Sequence, residues 1–272
     1  MTEHELVART GAAPITAARI AADLRALGVQ PGEVLIVHAS LSQLGWVCGG
    51  AQAALHGVLN ALGPTGTLVV PTHTNHLSDP SGWGNPPVPE SWWDEVRASM
   101  PPFRADETPA AWMGAIADTV LRRRDAVRSP HPHYSFAAIG PLADTLCGRH
   151  ELDWSLGPAS PIGRVGDHDG QVLLLGVGHD ANTSLHVAEA RSAWGRRNVV
   201  ESSAPMLVDG AQRWVSWRDV AYEEDDFPAI GAAFAEETGL ERVGAVGIGE
   251  ARLLPQRALV DFAADWIDRH RA

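Results

Sequence analysis

The chain has 272 residues, 45% of them hydrophobic and 20% charged, which suits one large α/β domain and excludes wholesale disorder or a fibrous repeat. Thirty-three acidic residues stand against 21 basic ones, giving a formal net charge of −12, and every one of the 21 is arginine. A chain with no lysine and this imbalance lacks the basic face that nucleic acid or an anionic membrane needs, so neither is expected as a partner; the acidic surface either serves solubility or favours cationic ligands.

Residues 1–10 have no basic stretch leading into an apolar one, so no secretory signal is expected. The most apolar run, residues 172–177, is far too short to span a bilayer, and a cytoplasmic location is expected. Ile20, Leu24 and Leu27 lie at helical spacing, predicting a helix over 14–27 that Gly28 stops. Residues 34–37 read as a buried strand, 51–62 as a helix ended by Gly63, and 67–70 as a second buried strand ended by Pro71. From 75 to 109 the rhythm breaks into a Pro- and Gly-rich stretch with Trp83, Trp92 and Trp93, of the kind that forms functional loops. Helix returns over 111–124, strands over 135–139 and 172–176, and helix again over 183–194. Residues 206–208 and 214–215 flank Asp209-Gly210, a hairpin-turn dipeptide in what reads as a slightly wider loop. Helices over 227–238 and 256–269 close the chain. Continuous apolar strands between amphipathic helices predict a single α/β domain over 1–272, a three-layer α/β/α sandwich. Its central sheet is largely parallel or mixed, with insertions at about 75–109 and a β-hairpin insertion at about 200–228.

Several motifs carry candidate chemistry. Gly176-Val177-Gly178-His179-Asp180-Ala181 fits a loosened dinucleotide-binding pattern between strand and helix. No acidic residue ends a following strand to hold a ribose, and a tight strand-to-helix turn needs glycine in any case. Next come His186 and Glu189, three apart on one face of the expected helix. A carboxylate beside an imidazole can fix its tautomer and raise its basicity, so the pair is either a general base with its orienter or an ordinary solvated helix pair. His131-Pro132-His133 could reach a metal, but a zinc site needs further matching ligands, and no metal is expected. No nucleophile-elbow motif occurs. The turn His38-Ala39-Ser40-Leu41-Ser42 follows a buried strand and could offer N–H and hydroxyl groups to a phosphate or carbonyl, or Ser40 and Ser42 could only cap the next turn. Cys48 and Cys147 make neither a metal spacing nor a disulfide framework. The run Glu223-Glu224-Asp225-Asp226 is either a solvated loop or the rim of a cation-binding cleft, and composition does not choose between them.

Taken in order, these pieces resemble the aminoglycoside 3-N-acetyltransferase family across nearly the whole chain. The resemblance runs through Val37-His38-Ala39-Ser40-Leu41, Gly63-Pro64-Thr65-Gly66-Thr67-Leu68-Val69-Val70-Pro71-Thr72, Met113-Gly114-Ala115-Ile116 and Arg128-Ser129-Pro130-His131-Pro132. It continues in Ala138-Ile139-Gly140-Pro141, then in its most specific stretch, from Ser160-Pro161-Ile162-Gly163-Arg164 to Leu185-His186-Val187-Ala188-Glu189. Residues 244–253 with Asp261 and Trp266 resemble the family's closing segment.

The resemblance implies an acetyl-coenzyme A-dependent N-acetyltransferase acting on the 3-amine of 2-deoxystreptamine aminoglycosides, with no metal and no acyl-enzyme, as monomer or homodimer. His186 is then the base, Glu189 its supporting carboxylate and Thr72 a group near the acetyl oxygen. His38, Ala39, Ser40, Leu41, Ser42, Thr72, Arg128 and Ser129 are the implied coenzyme contacts. The implied antibiotic contacts are Asp79, Asp180, Glu223, Glu224, Asp225 and Asp226. A same-fold acyltransferase on another amine, or a non-catalytic binder of a cationic ligand, are the alternatives.

Overall fold

Strands whose side chains are apolar on both faces must be covered on both sides, and three such runs form the centre of this molecule. The computed structural model describes residues 2–271. Its strands are β1 (Val34–Ala39), β2 (Thr67–Pro71), β3 (Val127–Arg128), β4 (Phe136–Ile139), β5 (Gln171–Leu175), β6 (Val199–Val208), β7 (Ala211–Val220), β8 (Arg242–Val246) and β9 (Gly249–Pro255). Its helices up to β5 are α1 (Glu3–Thr10), α2 (Ala17–Leu27), α3 (Gly50–Leu62), α4 (Trp93–Ser99), α5 (Gly114–Leu121), α6 (Ala143–Cys147) and α7 (Pro161–Asp167). After β5 come α8 (Ser184–Arg191), α9 (Ala193–Arg197), α10 (Phe227–Thr238) and α11 (Gln256–His270).

Seven of these strands form a mixed sheet in the order β3-β4-β2-β1-β5-β9-β8. β1 is parallel to β2 and β5, while β4, β3, β9 and β8 join antiparallel on the two flanks. Ile36 pairs with Val69 on one side and Val172 on the other, a row of side chains on one face. That row packs with Ile162, Leu185, Ile230, Phe234, Leu259 and Ile267, from α7, α8, α10 and α11. Leu35 and Val37 turn to the opposite face and meet Ile20, Leu24, Leu55, Val58 and Ile116, from α2, α3 and α5. The result is the mixed three-layer α/β/α arrangement, with a separate two-stranded sheet made of β6 and β7. Among the described residues no helix is long and apolar enough to cross a membrane.

The structure differs from the sequence expectations mostly at ends and edges. The helix expected from residue 14 begins at Ala17, because the Thr16 hydroxyl accepts the Arg19 N–H at 3.2 Å and Ile15 bridges to Val47 instead. The helix expected over 111–124 shrinks to Gly114–Leu121, because Trp112 at φ 58 and the helix's first residue, Gly114, at φ 84 lie outside helical space. The hairpin is longer and tighter than expected: β6 and β7 pair over ten residues each, and Asp209 and Gly210, both at positive φ, make a two-residue turn. Neither α1, with its Thr2–Glu5 capping box, nor the β8–β9 hairpin at the sheet edge was anticipated.

The insertion at 75–109 is not wholly irregular, since it contains α4 and docks on the hairpin. The Trp214 indole donates to the Arg97 carbonyl at 2.9 Å, and the Phe103 N–H to the Pro205 carbonyl at 2.9 Å. On the opposite side α2 and α3 approach closely at Gly57, where a Cβ would lie 2.7 Å from Cβ of Ile20. Gly57→Val should therefore destabilise the fold by about 1–3 kcal/mol or more, read as a Tm several degrees lower in calorimetry. An unchanged Tm would contradict this close approach.

Candidate active site

The chain leaves β1 for α3 on one face of the sheet and leaves β5 for α8 on the other. Adjacent parallel strands whose connections diverge leave a crevice beyond their carboxyl ends, the usual place for a ligand in such sheets. Here the crevice is a cavity of about 510 Å³. Its wall is built from the ends of β1 (His38, Ala39), β2 (Pro71, His73) and β5 (Val177), with Asn182, Thr183 and His186 at the start of α8.

His186 is nearly buried, its ring edged by Tyr222 and Phe227, each with a centroid 4.9 Å away. Its Nδ1 lies 2.5 Å from Oε2 of Glu189, which has no exposed surface. The three-residue spacing on α8 makes this contact within one helical turn. A carboxylate accepts only, so Nδ1 carries the hydrogen and the Nε2 lone pair is left for the cavity. Among the described residues no protein group hydrogen-bonds that Nε2. Glu189 in turn spends Oε1 on the Glu223 N–H at 2.9 Å and on Nη1 of Arg271 at 2.5 Å. An oriented, uncapped imidazole on a cavity wall can accept a proton from a bound nucleophile.

Residues 36–268 match the family model for aminoglycoside 3-N-acetyltransferase. The chain belongs to this family. A SPbeta prophage-derived aminoglycoside N(3')-acetyltransferase-like protein, YokD of Bacillus subtilis, is 39% identical over 93% of this chain and 92% of its own length. The crystal structure of YokD superposes with a TM-score of 0.94, covering 98% of both chains. Aminoglycoside N(3)-acetyltransferase IX of Micromonospora chalcea is 35% identical over 98% of each chain. Among solved structures, sisomicin-bound AAC-VIa has a TM-score of 0.85 at 31% identity, covering 96% of this chain and 100% of its own. The binary structure of AAC-IIIb with CoASH has 0.83 at 26%, covering 94% and 97%.

The acetyltransferase does not bring all of its sequence-expected site residues to the cavity. His38, Ala39, Asp180, His186 and Glu224 stand on the wall, and Glu189 lies directly behind it. Thr72 is buried away from it: its hydroxyl pairs with that of Ser135 at 3.0 Å and its N–H donates to the Ser135 carbonyl at 2.9 Å. Arg128 also turns inward, donating to the carbonyls of Thr72 and Thr108 and to the Ser135 hydroxyl. Burial lowers the Arg128 pKa to about 10. The buried Ser129 hydroxyl accepts the Phe136 N–H and pairs with Nδ1 of His150. Ser40, Leu41 and Ser42 form a short turn just past β1, outside the lining, and neither serine hydroxyl caps it.

The acidic candidates divide in the same way. Asp79 is gripped by two nitrogens of Arg97 at 2.8 and 2.9 Å, which holds its carboxyl well below the usual range, and it lies outside the cavity wall. Asp226 pairs with Arg271, Glu223 contributes its N–H to Glu189, and Asp225 is exposed. Asp180 and Glu224 are the two exposed members on the wall. His131 does not offer a metal a lone pair, because its Nδ1 accepts the N–H groups of His133 and Tyr134 and its Nε2 meets the Leu152 carbonyl. Among the described residues no three His, Cys, Asp or Glu side chains are placed to hold a metal ion.

Sequence reasoning missed His73 and Arg271. His73 had a signal in its place at the end of β2, whereas Arg271 had none. Burial, and after it repulsion from His186, pushes both His38 and His73 down to about 3. Burial likewise lowers His133 and His150 to about 4 and takes His131 well below its ordinary value. These five rings stay neutral where the unfolded chain, titrating near 6.5, takes up protons. Their contribution to stability is complete above that pH and is lost as pH falls through it, by about 1.4 kcal/mol per pH unit per ring. Tm should therefore hold between pH 8 and 7 and fall steeply between about 6.5 and 5. Equal Tm values at pH 7 and 5 would contradict this burial.

Proposed function

We propose that this acetyltransferase transfers an acetyl group from acetyl-coenzyme A to the 3-amine of a 2-deoxystreptamine aminoglycoside, with His186 as general base and Glu189 as its orienter. The observation that carries the reading is the His186–Glu189 pair, with His186 on the wall of the cavity at the strand ends and its Nδ1 taken by Glu189. Support for the two substrates comes from family membership and from the relatives whose structures hold CoASH and sisomicin.

The thioester end of the coenzyme lies at the ends of β1 and β5, near His38, Ala39 and the turn Ser40, Leu41 and Ser42. Its phosphates extend to arginines and backbone N–H groups, since the chain has no lysine. The antibiotic lies against Asp180 and Glu224, which attract its ammonium groups, with Glu223, Asp225 and Asp226 adding to the negative field. Thr72, Arg128 and Ser129 act on this site by holding the end of β2 and the strand beside it.

The reacting amine must be neutral. Its nitrogen attacks the thioester carbonyl carbon while Nε2 of His186 takes the proton that the forming C–N bond makes acidic. Glu189 stabilises the resulting imidazolium through Nδ1. When the C–S bond breaks, the imidazolium returns the proton to the sulfur, releasing amide and free thiol. No protein nucleophile is acylated.

Thiol release and a mass gain of one acetyl group should follow when acetyl-coenzyme A is mixed with members of an aminoglycoside panel. No turnover on any aminoglycoside, with turnover on another amine, would sink the substrate assignment and leave the chemistry. His186→Ala should lower kcat by about 10²–10⁴-fold, with drug and coenzyme binding retained in calorimetry. Near-normal turnover by that variant would remove His186 as the base.

A further inference from the structure

Only one oxygen of Glu189 meets His186. The other is held by Arg271, which follows α11 and whose side chain is 7% exposed. Its Nε and Nη2 donate to the two carboxylate oxygens of Asp226 at 2.8 and 2.5 Å, and Nη2 also donates to the Glu223 carbonyl at 2.7 Å. Its guanidinium carbon lies 4.5 Å from the centre of the Trp194 ring. One side chain thus joins α8, α9, the 223–226 segment and the end of α11.

We propose that Arg271 is a positioning residue for acetyl transfer, fixing the Glu189 carboxylate so that Oε2 faces His186 and tying the cavity wall that carries Glu224 to the same anchor. This rests on the reading of His186 as the base. Without Arg271, Oε1 would keep only the Glu223 N–H, on a segment that Arg271 itself tethers, whereas the planar guanidinium donating to Oε1, opposite the imidazole on Oε2, fixes the carboxylate plane. Arg271 alone would also offset the negative charge that Glu189 presents to an imidazolium. Asp226, bound to two nitrogens of the same guanidinium, balances it, so the three groups together keep one negative charge behind His186. Asp226 therefore belongs to the support of the base, and Glu224, two residues earlier, is carried on the same tethered segment. A lysine ammonium is a single point of donors and cannot hold these acceptors together in one plane.

The test compares Arg271→Ala, Arg271→Lys and Glu189→Gln in the full chain, with acetyl-coenzyme A and an aminoglycoside, reading kcat and KM separately. Arg271→Ala should lower kcat by about 10- to 100-fold, the range typical of losing a group that orients a functional side chain. KM for acetyl-coenzyme A should change by less than about threefold, whereas KM for the aminoglycoside rises more, because the released 223–226 segment carries Glu224. Arg271→Lys, which keeps the charge and the fold, should show a smaller loss of the same kind. It decides the matter if the alanine variant fails to fold. A loss confined to KM, or a normal kcat in both Arg271 variants while Glu189→Gln is inactive, overturns this inference alone. Normal turnover by Glu189→Gln overturns the orienting role of Glu189 and this inference with it, whereas near-normal turnover by His186→Ala overturns the base assignment on which both rest.

Discussion

A carboxylate with no exposed surface sets the terms for this end of the molecule. Taking an ion out of water costs several kcal/mol unless each oxygen is met by donors, and Glu189 is met by an imidazole, a backbone N–H and a guanidinium. Bringing those donors together dictates the local chain path. α8 stops at Arg191, where the Ser192 N–H turns back to the carbonyls of Ala188 and Glu189. At Gly195 a Cβ would lie 1.9 Å from the Glu189 carbonyl oxygen, so only glycine lets α9 begin so close. α9 then delivers Trp194 beneath Arg271, β7 delivers the 223–226 segment, and α11 runs long enough to return Arg271 to α8.

The same constraint explains how an acidic chain distributes its charge. Several arginines are used as multi-donor braces for backbone carbonyls and carboxylates: Arg128 at the end of β2, Arg164 on the carbonyls of Leu146 and Arg149, Arg97 on Asp79, and Arg271 on Glu189 and Asp226. Among the described residues the cavity wall carries no arginine, and its exposed carboxylates are those of Asp180 and Glu224. The neutral rings of His38 and His73 complete that wall without adding positive charge near neutral pH. An amine entering the cavity therefore meets negative charge at the rim and a hydrogen-bond acceptor at the base.

The three-layer fold and its central strands were legible in the sequence because their signals are local: apolar runs, helical spacing and glycine stops. So was the His186–Glu189 pair, since a three-residue spacing on a helix determines the contact. The β8–β9 hairpin escaped because Arg242, Glu250 and Arg252 dilute its apolar pattern at the sheet edge. Four adjacent acids looked alike in the sequence, yet tertiary contacts assign each a different setting, from the exposed Asp225 to the arginine-bound Asp226. Thr72 and Arg128 entered as site residues only through the family resemblance, and the alternation of side chains at the end of β2 turns Thr72 inward and puts His73 on the wall. Arg271 was invisible because its partners are 45 and 82 residues away in the chain.

The central claim is that Glu189 holds His186 with its hydrogen on Nδ1 and its lone pair toward the cavity. Nitrogen-15 NMR of histidine-labelled protein at pH 8, with the His186 signals assigned by their loss in His186→Ala, reads this directly. The account predicts a protonated Nδ1 coupled to a far-downfield proton and an unprotonated Nε2, with the downfield proton lost in Glu189→Gln. A His186 ring protonated at Nε2 instead, or one unchanged by Glu189→Gln, would contradict it.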